Sequence, residues 1–364
     1  MYITVAILLS AVHFGVPLAY YAYARRWLKK PWEVKTREGY IPQITVVVPT
    51  YNEAHLIEAK LEDLARQVYP LEKIQIIVVD SASTDGTPER AEEWAKRRGA
   101  SVKILREEAR RGKAYALNYA LKHASGELVV ITDVDSLWPD PLTLKRVAKW
   151  LSDPTIAAVT CLKKPAGGGG VEAAYRGYYN VLRLAESKMW STPIFHGELA
   201  AFRKELLEKI GGFPAHLGAD DSHTAVLIAA SGYRAIAAED LHCVELVPKQ
   251  YWRWRVRRAQ HLVQHFAASL RLKTPRRFKL PLYAEAYLHL VNPWLLPGAA
   301  ASLAASGGLP ALALLGAGLA ALLYKPYRAW VAMQLYLMAG AVRNLWTRDL
   351  AWRKEEKTAT ASRR

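Results

Sequence analysis

Cysteine is nearly absent from this 364-residue chain, which holds only Cys161 and Cys243. Two cysteines cannot staple a small disulfide scaffold, and neither has the Cys-x-x-Cys or Cys/His spacing of a structural zinc site. Acidic residues are in deficit: 33 Asp and Glu face 50 Lys and Arg, a net charge of +17. Such an excess can mark a nucleic-acid binder. Here, however, the basic residues flank apolar stretches and form no soluble stripe interleaved with aromatics, so no nucleic-acid partner is expected. Apolar residues are abundant, at 51%. That is far more than a disordered polar chain carries. Mean hydropathy is near zero only because two greasy ends average against a polar middle. The length leaves room for two or three units.

Residues 3–24 carry no charge, enough for a membrane helix of ~20 apolar residues. No Lys or Arg precedes this run, as a cleaved signal peptide would require, so 1–24 is expected to stay as a transmembrane helix. Arg25, Arg26, Lys29 and Lys30 follow at once and open a basic linker over 25–43. The positive-inside rule then places the middle of the chain in the cytoplasm, as part of an integral plasma membrane protein. The last third offers two further spans, 282–304 and 308–324, and a 14-residue stretch, 329–342, better suited to the interface. We therefore expect 281–346 to hold two transmembrane helices and a membrane-associated helix. A basic cytoplasmic tail is expected over 347–364.

Between the ends, strand and helix patterns alternate. Strands are expected at 44–48, 74–79, 102–105, 128–131 and 156–159, and helices at 54–67, 88–98, 113–123 and 142–151. This predicts an α/β fold with a mostly parallel, Rossmann-like sheet and helices on both faces. Ligands of such sheets bind beyond the carboxyl ends of the strands, where Glu53, Asp80, Asp133 and Asp135 collect. Asp133 and Asp135 can aim at one Mg²⁺ or Mn²⁺ ion, which takes carboxylate and phosphate oxygens. Arg110, Arg111, Gly112 and Lys113 precede a helix, an arrangement that favours phosphate. The chemistry is that of a nucleotide diphosphate site.

Five segments, in order, resemble glycosyltransferase family 2. They are VVVPTYNE (46–53), VVDSASTDGT (78–87), GKAYALNYAL (112–121), VITDVDS (130–136), and the run from Phe202, Arg203 and Lys204 to Gly211, Gly212 and Phe213. The resemblance covers roughly 44–261 and implies a GT-A domain over 44–245 and inverting transfer from a nucleotide sugar. It implies that Asp80 holds the base, that Pro49, Tyr51 and Glu53 line the nucleoside pocket, and that Asp135 binds the metal beside Asp133. The catalytic base of the family lies in a Glu-Asp pair opening a helix. In GADDSHTAVLIAASGY (218–233), Asp220 stands where Glu is usual and Asp221 matches the base. Asp220 is expected to cap that helix, with His223 nearby or at the surface.

Membrane synthases of the family carry QxxRW. Gln250, Arg253 and Trp254 match it literally, 29 positions after Asp221, whereas the family's usual spacing falls on 257–261, with Arg257 and Arg258. Both placements stay open. Trp252, Val256, Ala259, Val263, Phe266 and Leu270 form one apolar stripe, so 246–280 is expected to lie as amphipathic helices at the membrane interface. Arg271, Lys273, Arg276, Arg277 and Lys279 would meet lipid headgroups. The expected activity is transfer of a hexose, first of all mannose from GDP-mannose, to a lipid-linked or glycolipid acceptor by a monomer. The alternative is a processive polysaccharide synthase using UDP-glucose or a similar donor.

Overall fold

A computed structural model describes residues 1–165, 170–246 and 250–347. The positions expected to form the tail beyond Thr347 lie outside it, as do 247–249 of the interface segment.

The chain opens with helix α1 (Tyr2–Leu28), then runs through β1 (Ile44–Thr50), α2 (Ile57–Ala65), β2 (Ile74–Asp80), α3 (Thr87–Arg98), β3 (Val102–Arg106), α4 (Lys113–Leu121) and β4 (Leu128–Ile131). A short β5 (Ser136–Leu137), α5 (Thr143–Leu151), β6 (Ile156–Pro165), α6 (Gly170–Met189), β7 (Ala200–Arg203), α7 (Lys204–Lys209), α8 (Asp220–Ala230) and β8 (Arg234–Glu245) complete the domain. The eight strands make one sheet in the order β3-β2-β1-β4-β7-β6-β8-β5. Pairing is parallel among β3, β2, β1 and β4 and between β6 and β8. β7 runs antiparallel to both β4 and β6, and β5 antiparallel to β8.

The unbroken apolar runs of the central strands follow from cover on both faces. Val46 and Val48 point to one face and join Leu61, Trp94 and Val130. Val47 points to the other, with Ile77, Leu117 and Phe202. Parallel register sets Thr50 opposite Asp80 and Asp80 opposite Arg106. The carboxyl ends of β1, β2 and β3 therefore share one rim.

The rest is helical: α9 (Tyr251–Ser269), α10 (Arg276–Ala286), α11 (Asn292–Ser306), α12 (Gly308–Ala321) and α13 (Lys325–Arg343). Among the described residues, α1 is the one helix long and apolar enough to cross a membrane. The expected span 282–304 is not one α-helix: a π-helical turn at Tyr287–Val291 separates α10 from α11. Pro293, which has no N–H to donate, sits in the first turn of α11, where none is needed. The expected span 308–324 is cut to the 14 residues of α12. At 1.5 Å per residue that is about 21 Å, short of a ~30 Å bilayer core by itself, whereas α12 and α13 together are long and apolar enough as one bent pair. Positions 329–342 belong to α13, bent 100° from α12.

The structure also departs from the expected one-sided α9. Val256, Ala259 and Phe266 of its stripe are buried, but Trp252 and Leu270 stay exposed. Arg255, Gln260, His261 and His265 are buried as well. The cause is α13, which packs so closely that a Cβ on Gly340 would lie 2.5 Å from the Gln260 nitrogen. α9 is thus enclosed by protein on more than its apolar side.

Candidate active site

A cleft of about 310 Å³ opens at the carboxyl ends of β1 and β4 and is closed by α6, the start of α8 and one side of α9. Its first wall is the β1 loop: Pro49, Thr50, Tyr51 and Glu53 line it. This loop is tied to the one after β2, with Asn52 N–H donating to Ser83 Oγ at 2.8 Å and Ala54 N–H to Asp85 Oδ2 at 3.0 Å. The Arg110 guanidinium lies 3.8 Å over the Tyr51 ring. Asp80 is buried behind this wall. Its carboxylate accepts from Ser83 N–H (2.9 Å) and Thr50 Oγ1 (3.3 Å). The neighbouring Ser81 reaches the cleft instead, and donates to Glu107 Oε2 at 2.8 Å.

Asp133 and Asp135 follow β4 and both line the cleft. Their turn is held from below. Ser136 Oγ donates to the Asp133 carbonyl at 2.8 Å, and the Ser136 carbonyl accepts from Lys60 Nζ at 3.0 Å. Lys60 is fully buried and pairs with Asp63 at 3.6 Å; Asp63 in turn accepts the Trp138 N–H at 2.9 Å. A two-carboxylate set without histidine or thiolate suits a hard divalent ion whose remaining ligands are phosphate oxygens. Among the described residues, no group of three or more His, Cys, Asp or Glu side chains could hold a metal. Lys113 does not stand free for phosphate, since its ammonium lies 2.6 Å from Asp133 Oδ1.

Asp220 and Asp221 open α8 and reach the same cleft. The cap expected of Asp220 is not made: Ala219 is the N-cap residue, and Asp220 turns toward Lys113 at 3.9 Å. Burial raises Asp220 to about 7, with Asp221 and Asp133 adding to the effect against the pull of Lys113. Asp221 is raised too, chiefly by burial and against Lys113. It keeps partial exposure to the cleft. His223 is not a surface residue: it is buried, with Nδ1 3.2 Å from Ser269 Oγ.

Helix α9 draws on both QxxRW placements: Trp254 of the literal match faces the cleft together with Arg257 and Arg258 of the family spacing. Trp254, Arg257, Arg258 and His261 lie at i, i+3, i+4 and i+7, one helical face, and all four line the cleft. Gln250 and Arg253 do not. They are exposed and pair with each other at 3.4 Å. Arg258 stacks over Trp254 at 4.4 Å and reaches Glu198 at 3.0 Å and Glu245. Lys163 joins both acids at 2.8 and 3.2 Å, and Arg176 joins Glu245 at 3.0 Å. Sequence reasoning missed this buried network and the Lys60–Asp63 pair. One signal was available: Lys60 and Asp63 interrupt the apolar face Ile57, Leu61 and Leu64 of α2.

Residues 45–211 match the profile of Glycosyl transferase family 2. A mannosyltransferase of Pyrobaculum calidifontis, PcManGT, solved in complex with GDP-Man and Mn²⁺, is 58% identical. The match covers 95% of this chain and 99% of that one, with a TM-score of 0.90. The glycosyltransferase AglE of Haloferax volcanii is 28% identical over 205 residues, 55% of this chain and 66% of that protein. Cellulose synthase 2 of Novacetimonas hansenii is 27% identical over 228 residues, 59% of this chain and 14% of that protein. The chain thus spans less than two thirds of these two curated relatives. Its mostly parallel sheet, covered by helices on both sides, is the GT-A architecture, and the chain belongs to glycosyltransferase family 2 as a glycosyltransferase enzyme.

Proposed function

We propose that this enzyme transfers mannose from GDP-mannose, with inversion, to a lipid-linked acceptor at the membrane surface. The observation that carries the donor is the 58% identity to a mannosyltransferase whose structure holds GDP-Man and Mn²⁺. The cleft supports the reading. Pro49, Tyr51 and Glu53 line the nucleoside end, Asp80 braces it from behind through Ser83 and Thr50, and Asp133 and Asp135 would hold Mg²⁺ or Mn²⁺. When bound, that ion supplies Lewis acidity to the leaving diphosphate.

The chain's own residues do the rest. Asp221 takes the proton of the acceptor hydroxyl, which attacks from the face opposite the diphosphate and inverts the anomeric carbon. Lys113 is what favours the ionised form of Asp221 against burial, and Asp220, deeper in the site, lies 3.9 Å from the same ammonium. Arg257 and Arg258 counter the negative charge that grows on the diphosphate. Gln250 and Arg253 have no part in this, because they lie outside the cleft.

The acceptor reading rests on α1, whose apolar surface (Ile7, Leu8, Val12, Leu18) is exposed. We place α1 in the bilayer of the plasma membrane, the catalytic domain in the cytoplasm, and α12, with Leu309, Leu312 and Leu319 exposed, against lipid. A panel of radiolabelled nucleotide sugars, offered with a lipid extract to detergent-purified protein, tests this. One mannose per lipid from GDP-mannose is expected. A ladder of long oligosaccharides from UDP-glucose would replace the proposal with a processive synthase.

A further inference from the structure

Lys113 already occupies one oxygen of Asp133. Its Nζ lies 2.6 Å from Asp133 Oδ1 and 3.9 Å from Asp220 Oδ2. The backbone around it is shaped to admit it. A Cβ on Gly197 would come within 2.5 Å of the ammonium and 3.1 Å of Asp133 Oδ2. The Gly197 carbonyl also accepts the Asp133 N–H at 3.0 Å, so the acid is aimed at this spot from its own main chain. The ammonium thus lies between two carboxylates, Asp133 and Asp220. The side chain is charged.

We infer that Lys113 is the resident counter-ion of Asp133, and that a divalent metal binds there only together with a nucleotide diphosphate, which takes over the ammonium. The inference rests on the metal reading above. A metal ion arriving alone must share the Asp133 carboxylate with a cation already 2.6 Å from its Oδ1, or push that cation off its nearest acid. Either is unfavourable in a partly desolvated cleft. A diphosphate removes both costs together, since it brings oxygens for the metal and an anion for Lys113. Gly112 and Lys113 open α4, so backbone donors lie beside the same anion. Linkage makes the effect mutual: nucleotide tightens metal by the factor by which metal tightens nucleotide.

The test is Mn²⁺ binding to the detergent-purified full chain, read from the paramagnetic resonance of the free ion, with and without GDP. In the unmodified protein GDP should tighten Mn²⁺ on the order of tenfold or more, a usual size for such coupling. Lys113→Gln should bind Mn²⁺ alone more tightly and lose most of the GDP effect, while Lys113→Arg should keep it. Equal Mn²⁺ affinity with and without GDP in the unmodified protein overturns the inference, whatever the variants do. So does unchanged coupling in folded Lys113→Gln. Coupling to UDP but not to GDP sustains the counter-ion role and overturns the donor base. Mn²⁺ binding in no arm removes the metal reading and this inference with it.

Discussion

Gly218 and His261 are in contact so close that no side chain fits between them: a β-carbon at 218 would lie 2.2 Å from His261 Cδ2. The glycine before the acid pair thus decides where the α9 histidine rests. His261 is neutral at pH 7, pushed down to about 3 by burial and by Arg257, Arg258 and Arg343. Gly218→Ala must displace it or the start of α8. Overpacking of this kind costs roughly 1–3 kcal/mol. We expect kcat/KM to fall by about tenfold or more in a protein that still melts cooperatively. His261→Ala added to Gly218→Ala should recover part of the stability, a non-additivity that a double-mutant cycle reads directly.

Asp221→Asn should abolish transfer and spare donor binding. A general base contributes ~10²–10⁴ in rate, and the amide keeps the shape while losing the proton affinity. Turnover in the variant, alongside unchanged GDP-mannose affinity by calorimetry, is the measurement. Undiminished turnover would remove Asp221 as the base.

The acid pair also sets a pH limb on the rate. Asp220 is raised to about 7, by burial first, and Asp221 is raised with it. As pH falls through that range the coupled pair takes up protons and less of the ionised acid that a general base needs is left, so kcat/KM should climb as pH rises through neutrality. A flat profile from pH 5 to 8 (about one unit or more to either side of the pair) would contradict the burial seen here.

Stability should respond to acid through different groups. Burial alone would raise Glu198 and Glu245, but Lys163 and Arg258 outweigh it and hold both below the ordinary 4.5. A depressed carboxylate stabilises the fold above its unfolded pKa, and that stability is lost as pH falls through the folded value. The melting temperature should therefore hold above about pH 5 and drop steeply below 4.5. In Glu198→Gln the acid-side slope should be shallower and the starting value lower.

The pair beneath the Asp133–Asp135 turn gives a final test. Asp63→Asn leaves the fully buried Lys60 without its carboxylate, a loss of about 3–5 kcal/mol for a broken buried pair. Lys60→Met combined with Asp63→Asn should restore part of it. If thermal melts place the double variant below the single one, the ammonium is not what destabilises Asp63→Asn.

Much of this was legible in the chain. The strand starts at 44, 74, 102, 128 and 156 and the rim acids were readable because strand runs and strand-end turns are local patterns. β7 was not, since Ala200–Arg203 is four residues long and pairs antiparallel inside a parallel sheet. The QxxRW question was also beyond spacing. Gln250 and Arg253 match letter by letter, yet the helix turns 254, 257, 258 and 261 inward. The apolar C-terminal stretch read as whole spans, but a π-turn just before Asn292-Pro293 and a 100° bend just before Lys325-Pro326 break it, and how far a proline bends a helix is set by the packing around it.

The sequence by itself determined the alternation of strands and helices, the order of the motifs, and which rim carries the acids. These follow from side-chain period and from where a strand must end. Only the tertiary structure decided which charge meets which: Lys113 with Asp133, Arg258 and Lys163 with Glu198 and Glu245, Lys60 with the turn at Ser136. The reason is that electrostatic pairing depends on distance through space and on burial. Except within a helix turn, spacing along the chain encodes neither.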